Sequence, residues 1–195
     1  MRRLEKALRG VVRDLNELGR SFALLGGFAV SAQVEPRTTR DVDLAVLVEG
    51  DADAESLAFA LSQRGYALDT TVEHTGTGRL ATARTISPSG AVIDLLFASS
   101  GIEPEIVSSA EEIEILDGFK VPVATIAHLI AMKVLARDDR TRPQDRLDLA
   151  GLFRKAPEQD LKSAREALEL IDVRGYGRGR RLLDDLRRAL GELKS

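Results

Sequence analysis

Apolar residues recur at three- and four-residue intervals through residues 3–18, where Leu4, Leu8, Val11, Val12 and Leu15 predict an amphipathic helix that packs on the first strands after it. The pattern then changes. Phe22, Ala23, Leu24 and Leu25 form a short uninterrupted apolar run, read as a buried strand, and Gly26-Gly27 reads as a tight turn into a helix over residues 28–33. Residues 41–48 begin Asp-Val-Asp-Leu and become wholly apolar, which predicts a strand with Asp41 and Asp43 on one face and Val42 and Leu44 on the other. A helix over residues 53–64 stops at Gly65, and residues 66–72 return as extended chain. After a turn at residues 74–78, the runs 80–86 and 91–97 flank Ser87-Pro88-Ser89-Gly90 and predict a β-hairpin. Two further extended stretches, residues 112–116 and 119–123, are joined by Asp117-Gly118.

From residue 125 onward the periodicity is helical: residues 125–137, a new helix after Pro143, then residues 161–171 and 180–193. The pattern therefore predicts an α+β chain, a mixed sheet flanked by helices with a C-terminal helical region. The boundary falls near Pro122, giving a core of residues 1–122 and a helical region of residues 123–195 packed on it.

Three acids disturb this pattern in ways that packing alone does not explain. Asp41 and Asp43 sit about 7 Å apart along a strand, where their repulsion is about 2 kcal/mol at an effective dielectric of about 20. Mg²⁺ relieves such a pair, because it takes one or two carboxylates and completes its octahedron with water and phosphate oxygens. Asp94 interrupts the otherwise apolar run Ala91-Val92-Ile93-Asp94-Leu95-Leu96-Phe97, and a buried carboxylate needs a partner. Two partners fit. One is an arginine such as Arg84; the other is a metal shared with Asp41 and Asp43, if the two strands are neighbours. Upstream, the free amides of a helix starting after Gly26-Gly27 form an anion cradle, and side chains at Gly26 or Gly27 would hold a triphosphate off the backbone. Three acids on two strands beside a glycine turn are what two-metal phosphoryl transfer uses.

These residues resemble the nucleotidyltransferase fold of polymerase-beta-like enzymes. The run Arg37-Thr38-Thr39-Arg40-Asp41-Val42-Asp43-Leu44 resembles the RxTxDhDh signature of the AbiEii branch, toxins of type IV toxin-antitoxin systems, and Lys133, Arg137, Arg140, Asp145 and Asp148 resemble its downstream lysine and aspartate motifs. The likeness spans residues 24–149. It implies transfer of a nucleoside monophosphate from an NTP to a hydroxyl acceptor, with Mg²⁺, or Mn²⁺ in its place, on Asp41, Asp43 and Asp94. It implies an RNA acceptor, a tRNA 3′ end, and a cognate antitoxin as partner. Gly26, Gly27, Arg37, Thr39 and Lys133 are then candidates to hold the nucleotide phosphates, and Asp145 to act beside the three metal ligands. The same triad also serves transfer to a small molecule or a protein, and a catalytically silent nucleotide-binding module remains a third reading.

Several positions keep two readings. Lys133 interrupts the apolar face of its helix, either as a lysine snorkelling to water or as a phosphate contact. Asp145 and Asp148 suit a first helical turn by dipole alone, yet one of them could act as a base or hold Lys133 or Arg140 in position. Arg174-Gly175-Tyr176-Gly177-Arg178-Gly179-Arg180-Arg181 is either a basic hinge or a grip for RNA phosphates with a base stacked on Tyr176.

Composition changes this picture little. The 195 residues, 44% hydrophobic, suffice for a substantial core, and without cysteine there is neither a disulfide framework nor a thiolate metal site. A net charge of −3 argues against a generally basic, nucleic-acid-coated surface. With no signal-like start and no long apolar run, a soluble cytoplasmic protein without a membrane partner is expected.

Overall fold

The computed structural model describes residues 2–34, 38–138 and 143–192. The amphipathic helix is α1 (Arg2–Glu17), whose Leu8, Val11 and Leu15 are fully buried. The chain then runs through β1 (Phe22–Leu25), α2 (Gly26–Gln33), β2 (Asp41–Val46), α3 (Asp51–Ser62), β3 (Ala67–Glu73), β4 (Leu80–Ile86) and β5 (Val92–Leu96). After α4 (Glu103–Ser108) come β6 (Glu111–Leu116) and β7 (Phe119–Val123), then α5 (Ile126–Ala136), α6 (Pro143–Lys155), α7 (Glu158–Val173) and α8 (Leu182–Gly191).

The strands form one sheet in the order β3-β4-β5-β2-β1-β7-β6. Pairing is parallel between β2 and β5 and between β1 and β7, and antiparallel elsewhere. The expected mixed sheet flanked by helices is present. β1 and β2 lie at its centre, which is why the apolar positions of β1 and Val42, Leu44, Ala45 and Val46 of β2 are buried. β3 is an edge strand, exposed at every position. One cluster of buried residues extends from Ala7 to Ala189, so the sheet and the C-terminal helices share a continuous apolar interior. β7 contains Pro122 and leads directly into α5.

Two elements differ from the pattern. α2 starts at Gly26 itself rather than after a separate glycine turn. α4 gave no periodic signal because it spans only 6 residues. Its start is fixed by the buried Glu103, whose Oε1 accepts from the Ser99 and Ser100 amides at 2.8 and 2.7 Å and from the Ser100 hydroxyl at 2.9 Å.

Candidate active site

Parallel pairing of β2 with β5 sets Asp43 directly beside Asp94, and the period of two along β2 adds Asp41 on the same face. Asp41, Asp43 and Asp94 each bring a carboxylate oxygen within 4.8 Å of the other two, and this is the only such acidic group among the described residues. An all-oxygen donor set of this kind suits a hard divalent cation. The sheet extends the row one strand further. Arg84 on β4 is the antiparallel partner of Asp94, and its guanidinium forks onto the carboxylate, Nε to Oδ1 at 2.8 Å and a terminal nitrogen to Oδ2 at 2.7 Å. Hydrogen bonding to Asp94 and its charge hold the guanidinium pKa well above the usual range, with smaller contributions from Asp41 and Asp43. Asp94 thus pairs with Arg84 and lies within the three-acid cluster.

The turn from β1 into α2 abuts the same row, since Leu25 is the register partner of Asp43. Gly26 has φ +60°, and a Cβ there would fall 1.8 Å from Asp43 Oδ2. The need for glycine thus comes from the Asp43 carboxylate and the left-handed backbone. Gly27 is buried as the second residue of α2. Leu25, at the N-cap, offers no side-chain acceptor of its own to the first turn of α2. We expect Gly26→Ala to cost about 1–2 kcal/mol for the left-handed backbone alone and, by pushing Asp43 aside, to lower activity about 100-fold. Initial rates and thermal melts check this; a rate within twofold of wild type would show that Asp43 tolerates displacement.

Thr39 supports Asp41: its hydroxyl lies 3.3 Å from the Asp41 carbonyl oxygen and 3.4 Å from Oδ1. These contacts place Thr39 to orient Asp41. Arg37, Arg140 and Arg142 lie outside the described residues.

Lys133 does not snorkel. It is 8% exposed, and its ammonium sits 2.7 Å from Asp145 Oδ1 and 2.8 Å from Asp148 Oδ2, both acids being buried. This joins α5 to α6. Asp145 faces Lys133 and is not part of the three-acid cluster. Lys133 nonetheless lines a cleft of about 140 Å³ together with Leu25, Gly26, Asp43, Leu96, Met132 and Arg178. A larger hollow of about 600 Å³ adjoins it, sharing Ser99 and Arg178 and lined also by His74, Gly76 and Thr82.

The arginine- and glycine-rich segment is not an open stacking platform. Tyr176 is buried and its ring packs against His74 with centroids 4.3 Å apart. Arg174 forks onto Glu105, and Arg180 onto Asp185 and the carbonyls of Leu135 and Arg137. Arg178 was not separable from its neighbours by sequence. Its position in the cleft depends on a left-handed backbone, φ 56°, and on a hydrogen bond to the Ser99 carbonyl at 3.2 Å.

A mixed sheet carrying three carboxylates beside a glycine-started helix defines a nucleotidyltransferase. Solved structures agree on the fold. The antibiotic-resistance factor ANT(2'')-Ia is similar over 97% of this chain and 94% of its own, with 15% identity and a TM-score of 0.53. An antigenic nucleotidyltransferase-like protein from Paracoccidioides brasiliensis is similar over 95% and 92%, with 17% identity and a TM-score of 0.53. The lincosamide antibiotic adenylyltransferase LnuA is similar over 78% and 98%, with 12% identity and a TM-score of 0.50. Curated proteins give no match. The family model for the nucleotidyl transferase AbiEii toxin of type IV toxin-antitoxin systems matches residues 8–193, and the chain belongs to that family. Among the described residues, no helix is long and apolar enough to cross a membrane.

Proposed function

We propose that the protein moves a nucleoside monophosphate from an NTP to a hydroxyl of RNA, the acceptor being a tRNA 3′ end, as a type IV toxin countered by a cognate antitoxin. The observation that carries the transfer chemistry is the meeting of Asp41, Asp43 and Asp94 beside the start of α2. Mg²⁺ or Mn²⁺ held by these acids would neutralise phosphate charge and lower the pKa of the acceptor hydroxyl for in-line attack on the α-phosphate, with pyrophosphate leaving.

The chain's own residues do the rest. Gly26, Gly27 and the following amides receive phosphate oxygens at the helix N-terminus. Thr39 orients Asp41, while Lys133, held by Asp145 and Asp148, fixes α5 as a wall of the cleft and places its ammonium beside the phosphate path. Because binding sites for small ligands commonly span about 300–1,000 Å³, the cleft of about 140 Å³ suits the reacting phosphates, and the adjoining hollow of about 600 Å³ the groups on either side of them. Residues 123–195 then serve as the helical wall against which the acceptor lies, over a catalytic core of residues 1–122.

A second reading, transfer to a small molecule or a protein hydroxyl, has one observation in its favour. Arginines expected to form a basic rim for RNA are occupied internally: Arg137 and Arg146 by Glu192, Arg174 by Glu105 and Arg180 by Asp185. The test is incubation with each labelled NTP, Mg²⁺ and total RNA, followed by separation of RNA, protein and small molecules. We expect label in RNA of tRNA size; label confined to protein or to a small molecule would replace the RNA reading with the second one.

A further inference from the structure

We infer that Arg84 is a resident counter-cation that competes with divalent metal for Asp94, so that metal joins this carboxylate efficiently only together with the nucleotide. This rests on the proposed metal site and adds to it an order of loading. Arg84, Asp94 and Asp43 form one row across β4, β5 and β2, with the cation at its outer end. The fork engages both Asp94 oxygens, at 2.8 and 2.7 Å, which are the atoms a metal would take. Asp94 is 8% exposed and deep in the sheet, whereas the Arg84 side chain is 47% exposed, so the arginine is the partner with room to move.

With Arg84 in place, the Asp94 charge is already neutralised, and an approaching dication meets a fixed positive charge. A triphosphate changes the balance in two ways: its oxygens fill the metal's coordination sphere, and its charge gives the guanidinium a second anion to face. Retention by packing alone predicts no link between Arg84 and metal affinity.

The experiment is titration with Mn²⁺ followed by electron paramagnetic resonance, with and without a non-hydrolysable ATP analogue, on wild type, Arg84→Gln, Arg84→Lys and Asp43→Asn. Without nucleotide, Arg84→Gln is expected to bind Mn²⁺ about tenfold more tightly than wild type, and to gain less from the analogue than wild type does. Arg84→Lys, which keeps the charge but loses the fork, should fall between the two. Unchanged or weaker Mn²⁺ binding by Arg84→Gln, with wild-type circular dichroism, overturns the inference. If Arg84→Gln does not fold, Arg84→Lys decides, and wild-type affinity in that variant overturns it. Failure of the metal site itself looks different: wild type would not bind Mn²⁺ even with the analogue, or Asp43→Asn would bind like wild type.

Discussion

Asp43→Ala is expected to lower nucleotidyl transfer about 1,000-fold or more while leaving the protein folded. Asp43 is the middle member of the acid row, flanked along β2 by Asp41 and across the pair by Asp94, and its Oδ2 is the atom closest to the space beside Gly26. Without it, two carboxylates of the three remain, and one of them is forked by Arg84. Metal stabilisation of developing phosphate charge contributes several kcal/mol, and about 4 kcal/mol corresponds to about a thousandfold in rate. The stability change should stay within about 1 kcal/mol, since removing one of three like charges relieves repulsion even as a contact is lost. Initial rates across a range of Mg²⁺ concentrations, paired with thermal melts, test both halves. A folded variant within tenfold of wild type would remove these carboxylates from the chemistry, and partial rescue by high Mg²⁺ would assign the loss to metal affinity.

Local pattern carried much of this site. Period two along β2 is enough to put Asp41 and Asp43 on one face, and an acid inside the run of β5 had to have a partner. What local pattern does not encode is strand order. That β5 lies beside β2, with Asp43 in register with Asp94, follows from a parallel pairing across the excursion through α3, β3 and β4. In the sequence the two partners of Asp94 look like alternatives, and the strand order brings both Arg84 and the other two acids beside it.

The same gap explains the arginine-rich segment. Glu105, Asp185 and the ring of His74, which occupy Arg174, Arg180 and Tyr176, are brought there by tertiary packing, so a basic stretch that reads as available is largely consumed within the fold. Arg178 depends on a positive φ that an arginine seldom adopts, and nothing in its neighbours announces it. Asp145 and Asp148 are legible as a pair one turn apart; their shared ammonium on α5 is visible only as one option for these two acids.

That ammonium sets the other large effect: Lys133→Met is expected to destabilise the protein by about 3–5 kcal/mol, the cost of stranding buried acids without their counter-charge. At roughly 2–4 °C per kcal/mol for a chain of this size, the melting temperature should fall by about 6–20 °C. Methionine keeps most of the stem's packing, so the loss reports the charge. Asp145 and Asp148 hold the ammonium from two sides, at 2.7 and 2.8 Å, and each is no more than 3% exposed; without it, their mutual repulsion acts with little screening. The change should therefore be context-dependent. In an Asp145→Asn/Asp148→Asn background, Lys133→Met should cost far less than in wild type, and the difference is the coupling a double-mutant cycle measures. Because the three residues pin α6 to α5, and α5 walls the cleft opposite Gly26 and Asp43, activity should fall together with stability. Denaturant titration separates the possibilities: a wild-type midpoint for Lys133→Met accompanied by lost transfer would mean that the lysine's charge serves the substrate directly, and that α5 and α6 hold together by their apolar contacts alone.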